Sequence, residues 1–459
     1  MTEPSCSTDL VIVGAGLAGC VAALSAAQAG AHVVLLKKLE HPGGSSVMSA
    51  GCLAFAGTDL QHSGGIEDSP QLLYRDLREV GKLENVTEVV RAYAEEQLAT
   101  YTWLRECGVE FSTRIEASSG QSVPRVHCVN PADLMRLLVS RCRSSGRVQF
   151  HFSSAAERLL RSNDESPVSA LRFVGPAGRG TIATRRGVVL AAGGFGQDRA
   201  LVHRYAPQYD DAIFIGGAGS TGDGLRMACA LGADLRDMAY IKGTFGKHPT
   251  DTRNPLNCMA VYKGAIAVNQ GGSRFVDESL SYKLLGDACM AQPFHIAYQI
   301  LDQSILESGD NSVPILDLMR RYEAGLFETA DTLEELAIRI KVPPQNLHRT
   351  VERYNRDVDA GPDSEFGRRH LVHQHGTLQR IDRPPFHAYP STAAVFGTYC
   401  GVAVDRTMRV LDVFGEAIPA LYAAGEVVGG LHGAAYMTGS ALAKAAIFGR
   451  IAARSALEH

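Results

Sequence analysis

Two stretches carry residue types whose spacing could do chemistry. In the first, Gly14-Ala15-Gly16-Leu17-Ala18-Gly19 joins the apolar run Leu10 to Val13 to an alanine-rich segment of helical length reaching Ala29. A second apolar run, His32 to Leu36, follows the turn at Gly30. Strand, GxGxxG, helix, strand is the order a dinucleotide site requires. Gly14 permits the tight turn, Gly16 lets a pyrophosphate approach the backbone, and Gly19 lets the helix sit close to the strand. The helix N-terminus adds free amides and a partial positive charge for the phosphates. The second stretch is RFVDESLSY, Arg274 to Tyr282: a strand end, an acidic turn, and a helix opening that finishes on a phenol. A tyrosine at a helix start is ordinarily packing, and Arg274 with Glu278 reads as a turn-stabilising surface pair.

One expectation of the dinucleotide site fails. The end of the second strand should carry an acid to accept hydrogen bonds from the adenosine ribose; it carries Lys37-Lys38. A lysine cannot accept. It suits a ribose phosphate, as in NADP, or is a solvated strand end while other groups hold the ribose.

These residues must be positioned by a chain of 459 residues, long enough for two or three domains. At 45% hydrophobic with 47 glycines it reads as a globular enzyme rich in glycine turns, not a disordered or fibrous chain. A net charge of −4 without a basic stripe argues against nucleic acid as a partner. The ten cysteines show no CxxC pair and no close Cys/His cluster, which argues against a metal site or a disulfide framework and for a reducing compartment. The N-terminal MTEPSCSTDL lacks the basic and apolar regions of a signal peptide. No run of about 18 apolar residues is present, so no membrane span and a cytoplasmic location are expected. Leu457-Glu458-His459 reads as the remnant of an affinity tag.

Four further glycine-rich joints follow. Pro42-Gly43-Gly44-Ser45-Ser46 precedes Ser49-Ala50-Gly51, a loop dense in hydroxyls and free amides. The strand Val188 to Ala192 ends in Gly193-Gly194-Phe195-Gly196, and Ser220-Thr221-Gly222-Asp223-Gly224 opens a helical segment. Leu421-Tyr422-Ala423-Ala424-Gly425-Glu426 leads to Gly429-Gly430-Leu431-His432-Gly433, after which Gly439-Ser440-Ala441-Leu442 starts an apolar helix.

In this order the pieces resemble the FAD-containing family of soluble fumarate reductases, succinate dehydrogenase flavoprotein subunits and ketosteroid dehydrogenases. The resemblance covers nearly the whole chain and is weakest in the middle third. It implies an α/β fold: a discontinuous Rossmann-like FAD-binding domain at 1–239 and 381–456, with an inserted α+β substrate (cap) domain at 240–380. Carried over, the cofactor residues are Gly14, Ala15, Gly16, Gly19, Lys38, Gly44, Ser45, Ser46, Gly51, Ala192, Gly193, Asp223, Glu426, Ser440, Ala441 and Leu442. Family members that bind FAD covalently use a histidine in the serine-rich loop. Ser45-Ser46-Val47-Met48 has none, so non-covalent FAD is expected.

The resemblance also shows what the site has lost. The dicarboxylate reductases clamp their substrate with two arginines and two histidines, and feed a proton through a Glu–Arg relay. The arginine that donates the proton falls at Tyr282 and the second arginine at Tyr436. The relay pair falls at Cys258 and Val261, and one histidine at Phe396. Only the histidine of His248-Pro249-Thr250 remains, flanked by Lys242 and Lys247, which could meet a substrate carboxylate. Tyr262 and Tyr399 are assigned to the core, with a substrate-facing position as the alternative. Ketosteroid dehydrogenases carry tyrosines at the two arginine places, one taking an α-proton while the β-hydride passes to the flavin. The other, with a backbone amide, binds the carbonyl oxygen. This implies Tyr282 as base, if the site lowers its pKa from ~10, and Tyr436 with the Gly439 amide as carbonyl donors. His248 and Phe396 would contact substrate.

The expected activity is therefore FAD-dependent desaturation beside a cyclic ketone, either a 3-ketosteroid or a small oxocyclohexane carboxylate. The electron acceptor would be external: oxygen, a quinone or a carrier protein. The alternatives are reduction of an activated C=C, and a flavin-binding electron-transfer subunit without turnover.

Overall fold

The computed structural model describes residues 6–241, 243–251, 257–311, 313–361 and 363–458. The runs Leu10–Val13, Val33–Leu36 and Val188–Leu190 are buried along their whole length, as parallel strands covered on both faces must be. They share a six-stranded sheet ordered Val148–His151, Val33–Leu36, Leu10–Val13, Val188–Leu190, Ala417–Ala423 and Arg409–Leu411. Every neighbouring pair except the last is parallel. Strands from the two ends of the chain thus lie side by side, which gives the discontinuous domain its core. A four-stranded sheet of Cys6–Thr8, Gly178–Thr184, Ala170–Gly175 and Ala155–Leu160 accompanies it.

The middle of the chain builds a separate sheet around the long strand Phe386–Val395. That strand pairs antiparallel with Ala297–Asp302, Glu328–Ala330 and Thr244–Lys247. Ile266–Asn269 closes the sheet beyond Ala297–Asp302. Phe386–Val395 also pairs in parallel with Ile213–Phe214 through Ala394 and Val395, so it joins the cap strands to the FAD-binding segment. Buried apolar residues follow the same division into two main cores. One draws mainly on residues up to Ile241 and after Ala393; the other spans Phe245 to Tyr389 and takes in Tyr436 from the C-terminal segment.

The first helix, Leu17–Gln28, packs along the last, Ser440–Glu458. Gly449 makes this possible: a Cβ there would lie 2.6 Å from the Ala18 carbonyl oxygen. Leu457 and Glu458, set aside above as a tag remnant, continue the last helix, with Leu457 packed against the first core. His459 lies outside the described residues.

The RFVDESLSY turn corrects another expectation. Arg274 and Glu278 are not a surface pair, because both side chains are fully buried. Arg274 grips Glu278 through Nε–Oε1 at 2.9 Å and Nη2–Oε2 at 2.6 Å. It also grips Asp363 at 2.8 and 2.9 Å, and Arg368 reaches Glu278 at 3.3 Å. Burial alone would raise the Asp363 carboxyl, but the Arg274 bonds and charge hold it below the usual range. Glu278 also accepts from the Ala267 amide at 3.0 Å, tying the turn to a cap strand. Ser281 then caps the helix Tyr282–Met290, so Tyr282 is its first residue. The cluster fixes where the phenol starts. Arg274→Met leaves two buried carboxylates without their principal cation and should cost about 3–5 kcal/mol, read as a lowered midpoint in urea unfolding; an unchanged midpoint contradicts this account.

Candidate active site

A cleft between the two cores has an empty volume of about 1520 Å³, counted to its open mouth. Its wall is built from glycine turns and from both helix starts: Leu17 at one end, Ala441 and Leu442 at the other. The first-turn amides of a helix have no partner within it, so both ends offer donors and positive potential to a ligand.

At the N-terminal end, Gly14 has φ +114°, and a Cβ there would lie 2.1 Å from the Ala191 carbonyl oxygen. Only glycine fits that turn. Ser46 Oγ accepts from the Leu17 amide at 3.0 Å, and Ser45 Oγ from the Gly217 amide at 2.9 Å. Gly14, Gly16, Gly44, Ser45 and Ser46 all line the cleft, whereas Ala15 and Gly19 stand behind it. Gly19 fits because a Cβ there would lie 1.8 Å from the Gly14 carbonyl oxygen. The lysines exchange places. Lys38 forms an ion pair with Asp223 at 2.7 Å and bonds Thr221, and neither Lys38 nor Asp223 reaches the wall. Lys37, 9% exposed, lines it instead. Successive side chains of an extended strand leave on opposite faces, so one of two adjacent lysines faces the cleft. Burial, reinforced by the Lys38 charge, holds the Lys37 pKa down.

Farther along, Ala192, Gly193 and Glu426 line the wall. Burial raises the Glu426 carboxyl, against which it accepts from the Thr398 amide at 2.9 Å. Gly439 has φ +86°, and a Cβ there would lie 2.8 Å from the Ala54 amide nitrogen. Here the second core contributes an aromatic cluster. Ring centroids lie 5.7 Å apart for Tyr282 and Tyr436, 4.9 Å for Tyr399 and Tyr436, and 5.2 Å for His432 and Tyr436. The buried Lys283 ammonium donates to Thr244 Oγ1 and sits 4.3 Å from the Tyr399 ring centroid. The Tyr436 hydroxyl is 3.5 Å from the Ala441 amide.

Desolvation sets the protonation states. Burial pushes Tyr282 well above its ordinary pKa, and neighbouring Tyr436 and Tyr399 add to the rise. This is opposite to the lowering that a phenolate base requires. Burial carries Tyr436 up to about 12 despite backbone donation from Ala441 and Gly439. Burial drives His432 well below its usual value, helped by the Lys444 and Lys283 charges, and brings Lys444 down to about 8. His432 Nε2 is buried with no hydrogen-bond partner, on a residue that lines the cleft. An orphaned polar atom there marks a ligand's place. Together with the bare glycine turns, it fits a bound dinucleotide flavin.

Phe396 lines the cleft as expected, but His248 does not. Its Nδ1 accepts from the Thr250 and Asp251 amides at 3.3 and 3.2 Å and closes its own turn. Lys247 is buried and bonds the Asp251 carbonyl, and Lys242 lies outside the described residues. Gly51 and Ser440 also stand behind the wall: a Gly51 Cβ would strike the Val129 carbonyl, and Ser440 Oγ donates to Met437 O at 2.6 Å. Cys258 and Val261 are fully buried in the second core. Sequence reasoning missed Thr244, Asn257, His432, Lys444 and Cys52 as wall residues, and left Tyr399 in the core. For His432 the glycines around it were a usable signal, and Cys52 and Lys444 closely follow motifs already singled out; Thr244, Asn257 and Tyr399 come from segments without one. Among the described residues there is no group of three or more metal-ligating side chains, and no helix long and apolar enough to cross a membrane.

A family profile described as an FAD binding domain matches residues 9–442. Over 465 residues the chain is 30% identical to a probable fumarate reductase of Shewanella frigidimarina, covering 99% of this chain and 76% of that protein. It is 27% identical over 487 residues to the vinyl phenol reductase of Lactiplantibacillus plantarum, covering 99% and 97%. The open conformation of a flavocytochrome c3 fumarate reductase superposes with a TM-score of 0.82 at 30% identity, over 100% of this chain and 79% of that one. A 3-ketosteroid-Δ4-(5α)-dehydrogenase of Rhodococcus jostii RHA1 gives 0.81 at 24% identity, over 100% and 98%, a likeness of fold.

Gly14→Ala should strain the turn by about 1–3 kcal/mol and yield protein with a markedly lower flavin content. Full flavin absorbance per chain in that variant would show that the turn does not hold the cofactor.

Proposed function

This chain belongs to the FAD-dependent fumarate reductase and succinate dehydrogenase flavoprotein family, whose members act on carbon–carbon bonds, and on that premise we propose that it interconverts a cyclic ketone and its α,β-unsaturated form. The observation that carries this reading is the pairing of Tyr282 with Tyr436, ring centroids 5.7 Å apart, at places where the resemblance implies the arginines of the dicarboxylate reductases. Among the described residues lining the cleft there is no arginine. A dicarboxylate would bring buried anions without bidentate partners, at several kcal/mol each. A neutral carbonyl carries no such penalty.

Bound FAD supplies the hydride acceptor for desaturation and the hydride donor for the reverse reaction. Gly14, Gly16, Leu17 and Lys37 would hold its phosphates, Glu426 its ribityl hydroxyls, and the Ala441 and Leu442 amides the edge of its ring. The Tyr436 hydroxyl lies 3.5 Å from the Ala441 amide at the start of the last helix, where it and the Gly439 amide would share the carbonyl oxygen and stabilise it as charge develops. Tyr282 would exchange the proton at the α-carbon. Phe396, Ile315 and Tyr399 wall off that space and keep water from competing for the proton.

One observation favours the reductive direction as a second reading. Because burial holds the Tyr282 phenol well above its ordinary pKa, near neutral pH it carries its proton and is ready to donate it to the α-carbon of a reduced enone. Desaturation needs the ionised form, which grows as pH rises toward that raised pKa. The two directions therefore respond oppositely: desaturation accelerates with pH through the alkaline range, whereas enone reduction stays level and falls only as the phenol ionises. Rapid anaerobic mixing reads both, as bleaching of oxidised protein by saturated cyclic ketones and recovery of reduced protein by enones. Fumarate oxidising the reduced protein faster than any enone would overturn the ketone reading.

Tyr282→Phe should retain flavin and fold while losing about 10²–10⁴-fold in turnover. Turnover within a few-fold of wild type would remove Tyr282 from the chemistry.

A further inference from the structure

Cys52 and Cys128 face each other across the short antiparallel pair of Cys52–Ala54 and Val126–Cys128. Their sulfurs are 3.9 Å apart, and both residues are 8% exposed. The ladder fixes the kind of pairing. Val129 N donates to Gly51 O at 2.9 Å and Phe55 N to Arg125 O at 3.5 Å, so hydrogen-bonded pairs alternate at 51/129 and 55/125. The 52/128 pair is then non-hydrogen-bonded, the kind in which opposed side chains approach most closely. A disulfide needs Cβ atoms about 3.5–4.5 Å apart and sulfurs at about 2.05 Å. Cross-strand Cβ atoms at such pairs already lie about 4.5–5.5 Å apart, so side-chain rotation and a small closure suffice.

The location gives the pair a redox partner. Among the described cysteines, Cys52 alone lines the cleft. The strand it begins ends at Ala54, whose amide donates to Gly439 O at 3.1 Å, beside the helix start assigned to the flavin ring. Val126 and Ala50 pack around the sulfurs, so the cleft is their natural route of exchange.

We propose that Cys52 and Cys128 form a second two-electron redox centre, a dithiol that exchanges electrons with the bound flavin. In one direction two S–H bonds break and one S–S bond forms, while the two electrons and two protons pass to oxidised flavin and leave it fully reduced. In the other, reduced flavin returns them and the disulfide reopens to two thiols. The chain then stores two pairs of reducing equivalents. This rests on FAD occupying the cleft, which the visible flavin spectrum of the purified protein checks separately.

The test uses FAD-loaded protein treated with oxidised glutathione, desalted, and titrated anaerobically with dithionite. Oxidised wild type should consume twice as many electrons per flavin as Cys52→Ser or Cys128→Ser handled identically. Peptide mass mapping of the oxidised sample should show a Cys52–Cys128 cross-link lighter by two hydrogens, lost when flavin reduction is complete. Equal electron uptake by wild type and either variant overturns the proposal. A cross-link mapped to any other pair of cysteines instead, or a Cys52–Cys128 disulfide that survives beside fully reduced flavin, also overturns it. If Cys52→Ser loses flavin, Cys128→Ser, altered outside the cleft wall, carries the comparison.

Discussion

The contact of the first helix with the last, closed where Gly449 meets the Ala18 carbonyl, is the constraint on which the site rests. It brings segments from opposite ends of the chain into one layer and sends both helix starts to the same cleft. Each start contributes unpaired amides and the positive end of a dipole. A larger residue at Gly449 or Gly19 would force these helices and the first strand apart, since both positions leave less than van der Waals distance for a Cβ. The glycine turns around them are therefore packing devices first. Their capacity to bind phosphate follows from the same absence of side chains.

Desolvation then decides what the other end of the cleft can do. The same burial raises Tyr282, Tyr436 and Glu426 and lowers His432 and Lys444. Each shift favours the neutral form of its group. Buried tyrosine donors that keep their protons suit a carbonyl, whose charge appears only as the reaction proceeds. Lys283 is buried among three phenols, bonded to Thr244 and facing the Tyr399 ring. A protonated Lys283 would favour any phenolate or enolate that forms nearby.

The fold was legible because its signals are local and repeated. Fully apolar runs beside glycine turns announced the parallel strands, and the family resemblance that their order carries implied the discontinuous domain. The phosphate end was legible for the same reason. What failed depended on facing and depth. Lys37 and Lys38 are adjacent in sequence but leave the strand on opposite sides, and only coordinates show which one faces the cleft. Arg274 and Glu278, four residues apart, looked like a surface pair because their partners Asp363 and Arg368 are far away in sequence. His248 kept its family spacing, yet its ring is spent on its own turn. Thr244, Asn257 and Tyr399 come from cap segments without a motif, and they meet the cleft only through the strand pairing of Phe386–Val395.

The two pairs of reactive side chains share one mechanical element. Cys52 and Ala54 lie on the same strand, and the Ala54 amide holds the Gly439 carbonyl. The Ala441 amide, two residues on, lies 3.5 Å from the Tyr436 hydroxyl. Drawing Cys52 toward Cys128 moves the strand on which Gly439 leans, and Gly439 has little freedom of its own because its φ of +86° and the close Ala54 backbone confine it. On the proposed reading, the oxidation state of the sulfurs would act on the same backbone that would present a donor to the substrate carbonyl. In that reading the short strand would link the storage of electrons to the stabilisation of the developing oxyanion.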